Sequence, residues 1–262
     1  MNQSKPQVDI KYLNNFLSKE GKKPTVNKDF SRAKLLNIIN KMAINDPIQA
    51  QIAKAHTEAY FGNFQNCVNA LEDVLKKTNY KYSHAWDMLM DSYVQSGDLD
   101  NILSTFKRIM REDLENKGEH QILFMHVVRV YLLTEVIENI KFENPKIQKD
   151  LIEIANNAKK IMELGVSIEI YRRFMSIIYS LFYTHFSGTI QPVLFFNDSE
   201  LVIRVNSTVD NAEDLFELNN LYTDSIMSWY ANADSDEQDQ IEKITVYFKH
   251  KYFESKDEEA SA

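Results

Sequence analysis

The chain has a single cysteine, Cys67, among its 262 residues, which rules out an internal disulfide and any zinc site built on several thiolates. Glycine and proline are also scarce, at six and five. A β-sandwich needs a turn roughly every ten residues, and this sequence holds too few turn formers to supply them. No apolar run reaches the ~20 residues of a membrane span; the most apolar segment, 168–186, carries Glu169, Arg172, Arg173 and His185. Positive charge is in deficit, with 30 Lys and Arg against 38 Asp and Glu and a net charge of −8. A large non-specific nucleic-acid footprint is therefore not expected, and the clusters Lys107, Arg108, Arg111 and Lys19, Lys22, Lys23 read as solvated faces. The first residues, MNQSKPQVDIKYLNNF, have no apolar core behind their charges and no small-residue cleavage pattern. The expectation is a cytoplasmic protein without a signal peptide or membrane association.

What is present is a globular composition, 44% hydrophobic and 26% charged, arranged with helical periodicity. Trp86, Leu89, Met90 and Tyr93 fall at i, i+3, i+4 and i+7, Gly97 breaks the helix, and Ile102, Phe106 and Ile109 mark one face of a second helix. Ile52, Ala55, His56 and Ala59, then Gly62, then Cys67, Leu71 and Val74 repeat the arrangement about 34–35 residues earlier. Such units bury their apolar faces only by stacking on neighbours. Upstream, helices are expected at 8–19 and from Ser31 to about Ile44, joined by the loop GKKPTVNKD, with Pro47 ending the unit. Downstream, Phe124, Val127, Val128 and Tyr131 restart the pattern. A partner helix begins near Pro145 and stops at Gly165, and an apolar helix covers 168–186.

After Gly188 the periodicity changes. PVLFF and ELVIRV, separated by Asn197, Asp198 and Ser199, read as a hairpin. A capped helix is expected from Asn211 to about Ala231, with Ala212, Leu215, Phe216, Tyr222, Ile226 and Trp229 inward. Residues 237–253 fit either a helix or a strand. The predicted fold is mainly α: an irregular tetratricopeptide-like helical-hairpin array over 1–187, a small C-terminal α+β module over 188–253, and a frayed tail over 254–262.

Residues 86–109 resemble a tetratricopeptide repeat. Trp86, Leu89, Tyr93, Gly97 and Phe106 match that family's pattern, while Ile102 and Ile109 stand where smaller residues are usual and Ala59 replaces a tyrosine. A related helical-hairpin repeat, including the pentatricopeptide type, stays open. The resemblance covers about 31–111 well, 117–164 loosely and the C-terminal third not at all. It implies a groove lined by the first helices, with Ala53, Thr57, Asp87, Asp91, Met125 and Arg129 facing it and Tyr60, Val94 and Leu132 further along.

The function expected is a non-catalytic scaffold or adaptor that binds a protein or peptide, with Tyr60, Asp87, Asp91 and Arg129 as the partner-binding residues. The acidic pair suits a partner with a basic or amphipathic segment. The alternatives are an RNA-binding or nuclease-associated repeat protein and a peptide-sensing regulator. No catalytic residue, metal site or cofactor is expected. His56-Thr57-Glu58 contains the H-x-E element of zinc deaminases without the later P-C-x-x-C, and neither a phosphate-binding glycine loop nor a G-x-S-x-G elbow occurs.

Overall fold

The two strongest repeats give four helices in a computed structural model, which describes residues 5–112, 121–134 and 145–250. They are α3 (Pro47–Tyr60), α4 (Phe64–Lys77), α5 (Ser83–Ser96) and α6 (Leu99–Glu112), preceded by α1 (Lys5–Leu17) and α2 (Lys28–Met42). Asp46 caps α3, its Oδ1 accepting the Gln49 amide at 3.0 Å ahead of Pro47 in the first turn. The α3–α4 turn, Phe61–Asn63, is one residue longer than the α5–α6 turn, Gly97–Asp98. Both turns hold a glycine in the left-handed region, Gly62 at φ 75° and Gly97 at φ 70°, where a β-carbon is strained. Each helix from α2 to α5 packs on the next, and α1 packs on α2 and α3.

The core of this array is built from the residues the periodicity selects. Trp86, Leu89, Cys67, Leu71 and Val74 are completely inaccessible. The Trp86 indole donates to the Tyr80 carbonyl at 3.0 Å, stacks against the Tyr80 ring and is covered by the Arg108 guanidinium 5.0 Å from its centre. Arg108 in turn forms a two-pronged pair with Glu72, at 2.5 and 3.1 Å. The Cys67 thiol, 2.9 Å from the Ser92 hydroxyl, is pushed by burial up to about 11 and stays protonated.

The chain divides into two compact units. The first is Met1–Gln121 with Phe182–Ser187, and the second is Ile122–Leu181 with Gly188–Ala262. The expected boundary between 187 and 188 is one limit of this division, which differs in joining residues 122–181 to the C-terminal segment and not to the array. The helices α7 (Gln121–Tyr131), α8 (Pro145–Glu163) and α9 (Ile168–His185) belong almost wholly to the second unit, because α9 is apolar around much of its circumference. One of its sides holds the end of α7: Tyr171 Oη donates to the Val130 carbonyl at 3.0 Å, and Arg172 donates to those of Tyr131 and Leu132 at 2.9 and 3.0 Å. Another side packs Phe174 edge-on against Trp229 at 5.2 Å.

Beyond Gly188, β3 (Ile190–Phe196) and β4 (Leu201–Ser207) form the expected antiparallel hairpin, closed by Asn197, whose Oδ1 accepts the Ser199 and Glu200 amides at 3.0 and 2.7 Å. Helix α10 (Ala212–Tyr230), capped by Asn211, and the short α11 (Ser235–Ile241) carry the chain to β5 (Ile244–His250), parallel to β4. The segment left open between helix and strand thus holds both. Phe216, expected inward, is 70% exposed, and Ala212 is exposed too; the buried face of α10 runs through Leu218, Tyr222 and Trp229. A further pairing had no signature in so short a stretch: β1 (Gly21–Lys22) joins β2 (Phe186–Ser187) antiparallel within the first unit. The expected tail, 254–262, lies outside the described residues, of which no helix is long and apolar enough to cross a membrane.

Candidate functional site

Helices α1, α3 and α5 line a groove of about 540 Å³ in the first unit. Its floor is apolar, with Leu13, Leu17, Ile52 and Ala53, and its rim is polar, with Asn14, Gln49, His56 and His84. The two imidazoles face each other from α3 and α5 with ring centres 6.3 Å apart. Burial and the neighbouring His84 lower the His56 pKa, favouring the neutral ring.

His84, Asp87 and Asp91 follow at i, i+3 and i+7 and share one face of α5. Asp87 is half-buried and Asp91 exposed by accessible area. The Asp91 carboxyl is nevertheless crowded by protein atoms, and this loss of hydration, with the charge of Asp87, pushes it up to about 6. Among the described residues no lysine or arginine forms an ion pair with Asp91. Burial and the Asp91 charge in turn push the Tyr183 phenol up to about 12.

Tyr60 is packed from several directions, against Phe16 and Phe61 at 5.4 and 5.2 Å, with the Lys23 ammonium 5.5 Å from its ring centre. Lys23 is itself buried and works as a clasp. Its backbone amide donates to the His185 carbonyl at 2.9 Å and its ammonium to the Tyr183 carbonyl, satisfying the end of α9. Burial, reinforced by Lys28, depresses its pKa to about 7.

Arg129 belongs to the second unit, where it pairs with Asp150 at 3.1 Å. Of the other positions assigned to the groove, Ala53 lines it, while Thr57, Val94, Met125 and Leu132 are buried. Thr57 returns its hydroxyl to the Ala53 carbonyl at 2.9 Å, and buried helices of this kind have no free face at those positions. His56 and His84 went unrecognised because a groove rim made from two helices leaves no mark in either helix alone. Among the described residues no cluster of three His, Cys, Asp or Glu side chains is arranged to hold a metal ion.

Glu58, the third residue of the H-x-E element, is structural. It accepts from Arg32 at 2.8 and 2.6 Å and from Asn63 at 2.9 Å, tying α2 to the α3–α4 turn. Burial alone raises its pKa, but these hydrogen bonds and the Arg32 charge prevail and hold it below the usual value. A depressed carboxyl contributes stability above its unfolded pKa and loses it as the pH falls through the folded one. Glu58→Gln is therefore expected to cost about 1–2 kcal/mol at neutral pH, less than a fully buried pair because Arg32 can return to water. Urea melts of parent and variant should draw together as the pH falls below the ordinary carboxylate value, about 4; a difference that does not narrow in acid refutes the ionic account.

Comparison of the chain with protein-family models, curated proteins and solved structures finds no match.

Proposed function

We propose that the first unit is a tetratricopeptide-like, non-catalytic scaffold that binds a protein segment carrying both apolar and basic side chains, in the manner of a cytoplasmic adaptor. One observation carries the reading: the apolar-floored groove shares helix α5 with two carboxylates, and the more crowded of them, Asp91, has no cationic partner among the described residues. An amphipathic helix supplies apolar side chains for the floor and an ammonium or guanidinium for Asp91. Tyr60 packs against Phe16 of α1 and is not among the residues that line the groove, and Arg129 belongs to the other unit.

The test uses a fluorescent amphipathic peptide of leucine and lysine, beside a counterpart with glutamate for every lysine. The lysine peptide is expected to bind and the glutamate peptide not to bind. Asp87→Lys with Asp91→Lys should weaken the lysine peptide by about tenfold or more, with helical content unchanged. Affinity should also fall several-fold between about pH 7.5 and pH 5, as Asp91 takes up a proton and His56 gains charge. Equal binding of both peptides, or indifference to the double substitution, refutes a role for the α5 carboxylates.

A further inference from the structure

Two helices, one in each unit, carry uncovered faces of opposite charge. On α2, Phe30, Lys34, Asn37 and Lys41 follow at i, i+4, i+7 and i+11, and Ile44 continues the stripe just past the helix end, where Ala43 keeps a helical backbone. All five are exposed, Phe30 and Ile44 at 72% and 83%. The buried residues of α2 are Leu35, Ile38 and Ile39, so this stripe turns away from the array. On α10, Glu213, Phe216, Asn220, Asp224 and Met227 follow at i, i+3, i+7, i+11 and i+14. They too are exposed, Phe216 and Met227 at 70% and 59%, while Leu218, Tyr222 and Trp229 face inward.

The charge of each helix has one sign. Helix α10 contains four carboxylates and no lysine, arginine or histidine, whereas α2 contains four cations and a single carboxylate, Asp29. Among the described residues none of Lys34, Lys41, Glu213 and Asp224 forms an ion pair. The Lys34 ammonium rests 4.1 Å from the Tyr12 ring centre, a contact that leaves its charge unneutralised. Each stripe rises about 21 Å at the helical 1.5 Å per residue. Laid antiparallel, the two match along their length: Phe30 meets Met227, Lys34 meets Asp224, Asn37 meets Asn220, and Lys41 with Ile44 meets Glu213 with Phe216.

We propose that the chain self-associates through these two faces, α2 of one copy lying antiparallel on α10 of another. The apolar side chains at the ends of both stripes leave water together, and the charges between them set direction and register. A parallel arrangement sets Phe30 on Glu213 and Lys34 on Phe216, which desolvates charge against apolar surface without pairing it. The contact is heterologous, since each copy contributes a different face to it. A single helix-on-helix face lies at the small end of protein interfaces, so the dissociation constant should be on the order of 10–100 μM. No residue of either stripe lines the peptide groove, and the contact stands or falls independently of it.

The test is sedimentation equilibrium of the full chain from about 5 to 300 μM. The weight-average mass is expected to climb with concentration above that of one chain, and to climb less at about 300 mM salt than at about 50 mM, where the charges are less screened. Lys34→Glu with Lys41→Glu and, separately, Glu213→Lys with Asp224→Lys should each weaken self-association by about tenfold or more. An equimolar mixture of the two variants should recover it, because the reversed faces complement one another. Phe30→Ser should weaken it several-fold, with unchanged circular dichroism excluding misfolding. Asp87→Lys with Asp91→Lys acts at the groove and should leave self-association unchanged; a loss there overturns the assignment by placing α2 in the groove of the next copy. A single chain at every concentration, charge-reversed variants that associate like the parent, or a folded mixture that fails to recover also overturns it. A single chain that instead sediments with phosphatidylserine vesicles hands the α2 face to an anionic membrane surface and overturns it likewise.

Discussion

Trp86→Ala is expected to lower the stability of the first unit by about 3–5 kcal/mol, the range for removing a fully buried indole. The side chain is completely inaccessible, so the cavity opens inside the α4–α5–α6 stack with no surface chain free to fill it. The loss exceeds the ring's own burial. The indole N–H satisfies the Tyr80 carbonyl at 3.0 Å, and Tyr80 holds a left-handed backbone at φ 62°, a conformation a tyrosine keeps only when its surroundings enforce it. Arg108, positioned between the indole face and Glu72, loses one side of its support. Trp86→Phe separates these effects: it retains most of the apolar volume, loses the hydrogen bond, and should cost about 1–2 kcal/mol. Urea denaturation of the three proteins checks the order. An alanine variant as stable as the parent removes Trp86 from the core.

The legibility of the fold followed the range of the interactions. Helices α3 to α6 were visible because their determinants are local: a 3.6-residue apolar period, Pro47 separating them from the preceding unit, and glycines 62 and 97 at the turns. The hairpin was visible for the same reason, through alternating apolar residues and Asn197. What was missed depends on distant partners. The β1–β2 pairing joins residues 21–22 to 186–187, and two-residue strands have no periodicity to read. Residues 237–253 looked ambiguous because a seven-residue helix, capped by Asp234, leads almost directly into β5. Phe216 was assigned inward by counting apolar residues on a helix whose covered side is only as wide as the sheet beneath it. The change of periodicity marked the limit at 187/188 but not the grouping of residues 122–181 with the C-terminal segment, because units are set by which faces pack together.

The acidic pair at Asp87 and Asp91 was legible as residues and spacing. Its setting was not: Asp91 loses hydration by burial and is pushed up to about 6, and Tyr183, far along the chain, lies close enough to feel its charge. The three-stranded sheet shows the same limit. Phe195, Arg204 and Tyr247 come from three strands, and only the register Val193↔Arg204↔Tyr247 brings them together.

The second large effect is expected at Arg172, which reads in the sequence as a charge interrupting an apolar helix and turns out to be part of the core. It is 9% exposed, and its guanidinium satisfies two carbonyls at the end of α7, those of Tyr131 and Leu132. Leu132 leaves the helix in the left-handed region at φ 46°, so the last carbonyls of α7 find their partners in α9 and not in a continuing helix. Arg172→Met keeps the apolar stem and removes the donors; the Leu132 carbonyl keeps the Thr134 amide at 2.8 Å, and the Tyr131 carbonyl loses the Arg172 hydrogen bond. At ~1–3 kcal/mol for such a group, the second unit should lose about 1–3 kcal/mol. Arg172→Lys should recover part of this, since one ammonium cannot reproduce the planar fork that reaches both oxygens. The chain's two tryptophans fall one in each unit, so Trp229 fluorescence in a Trp86→Phe background follows the second unit alone. Its denaturation midpoint should fall in the order arginine, lysine, methionine, and amide exchange at the end of α7 should accelerate. A methionine variant with an unshifted midpoint makes the guanidinium dispensable and leaves the end of α7 to be held by Tyr171 alone.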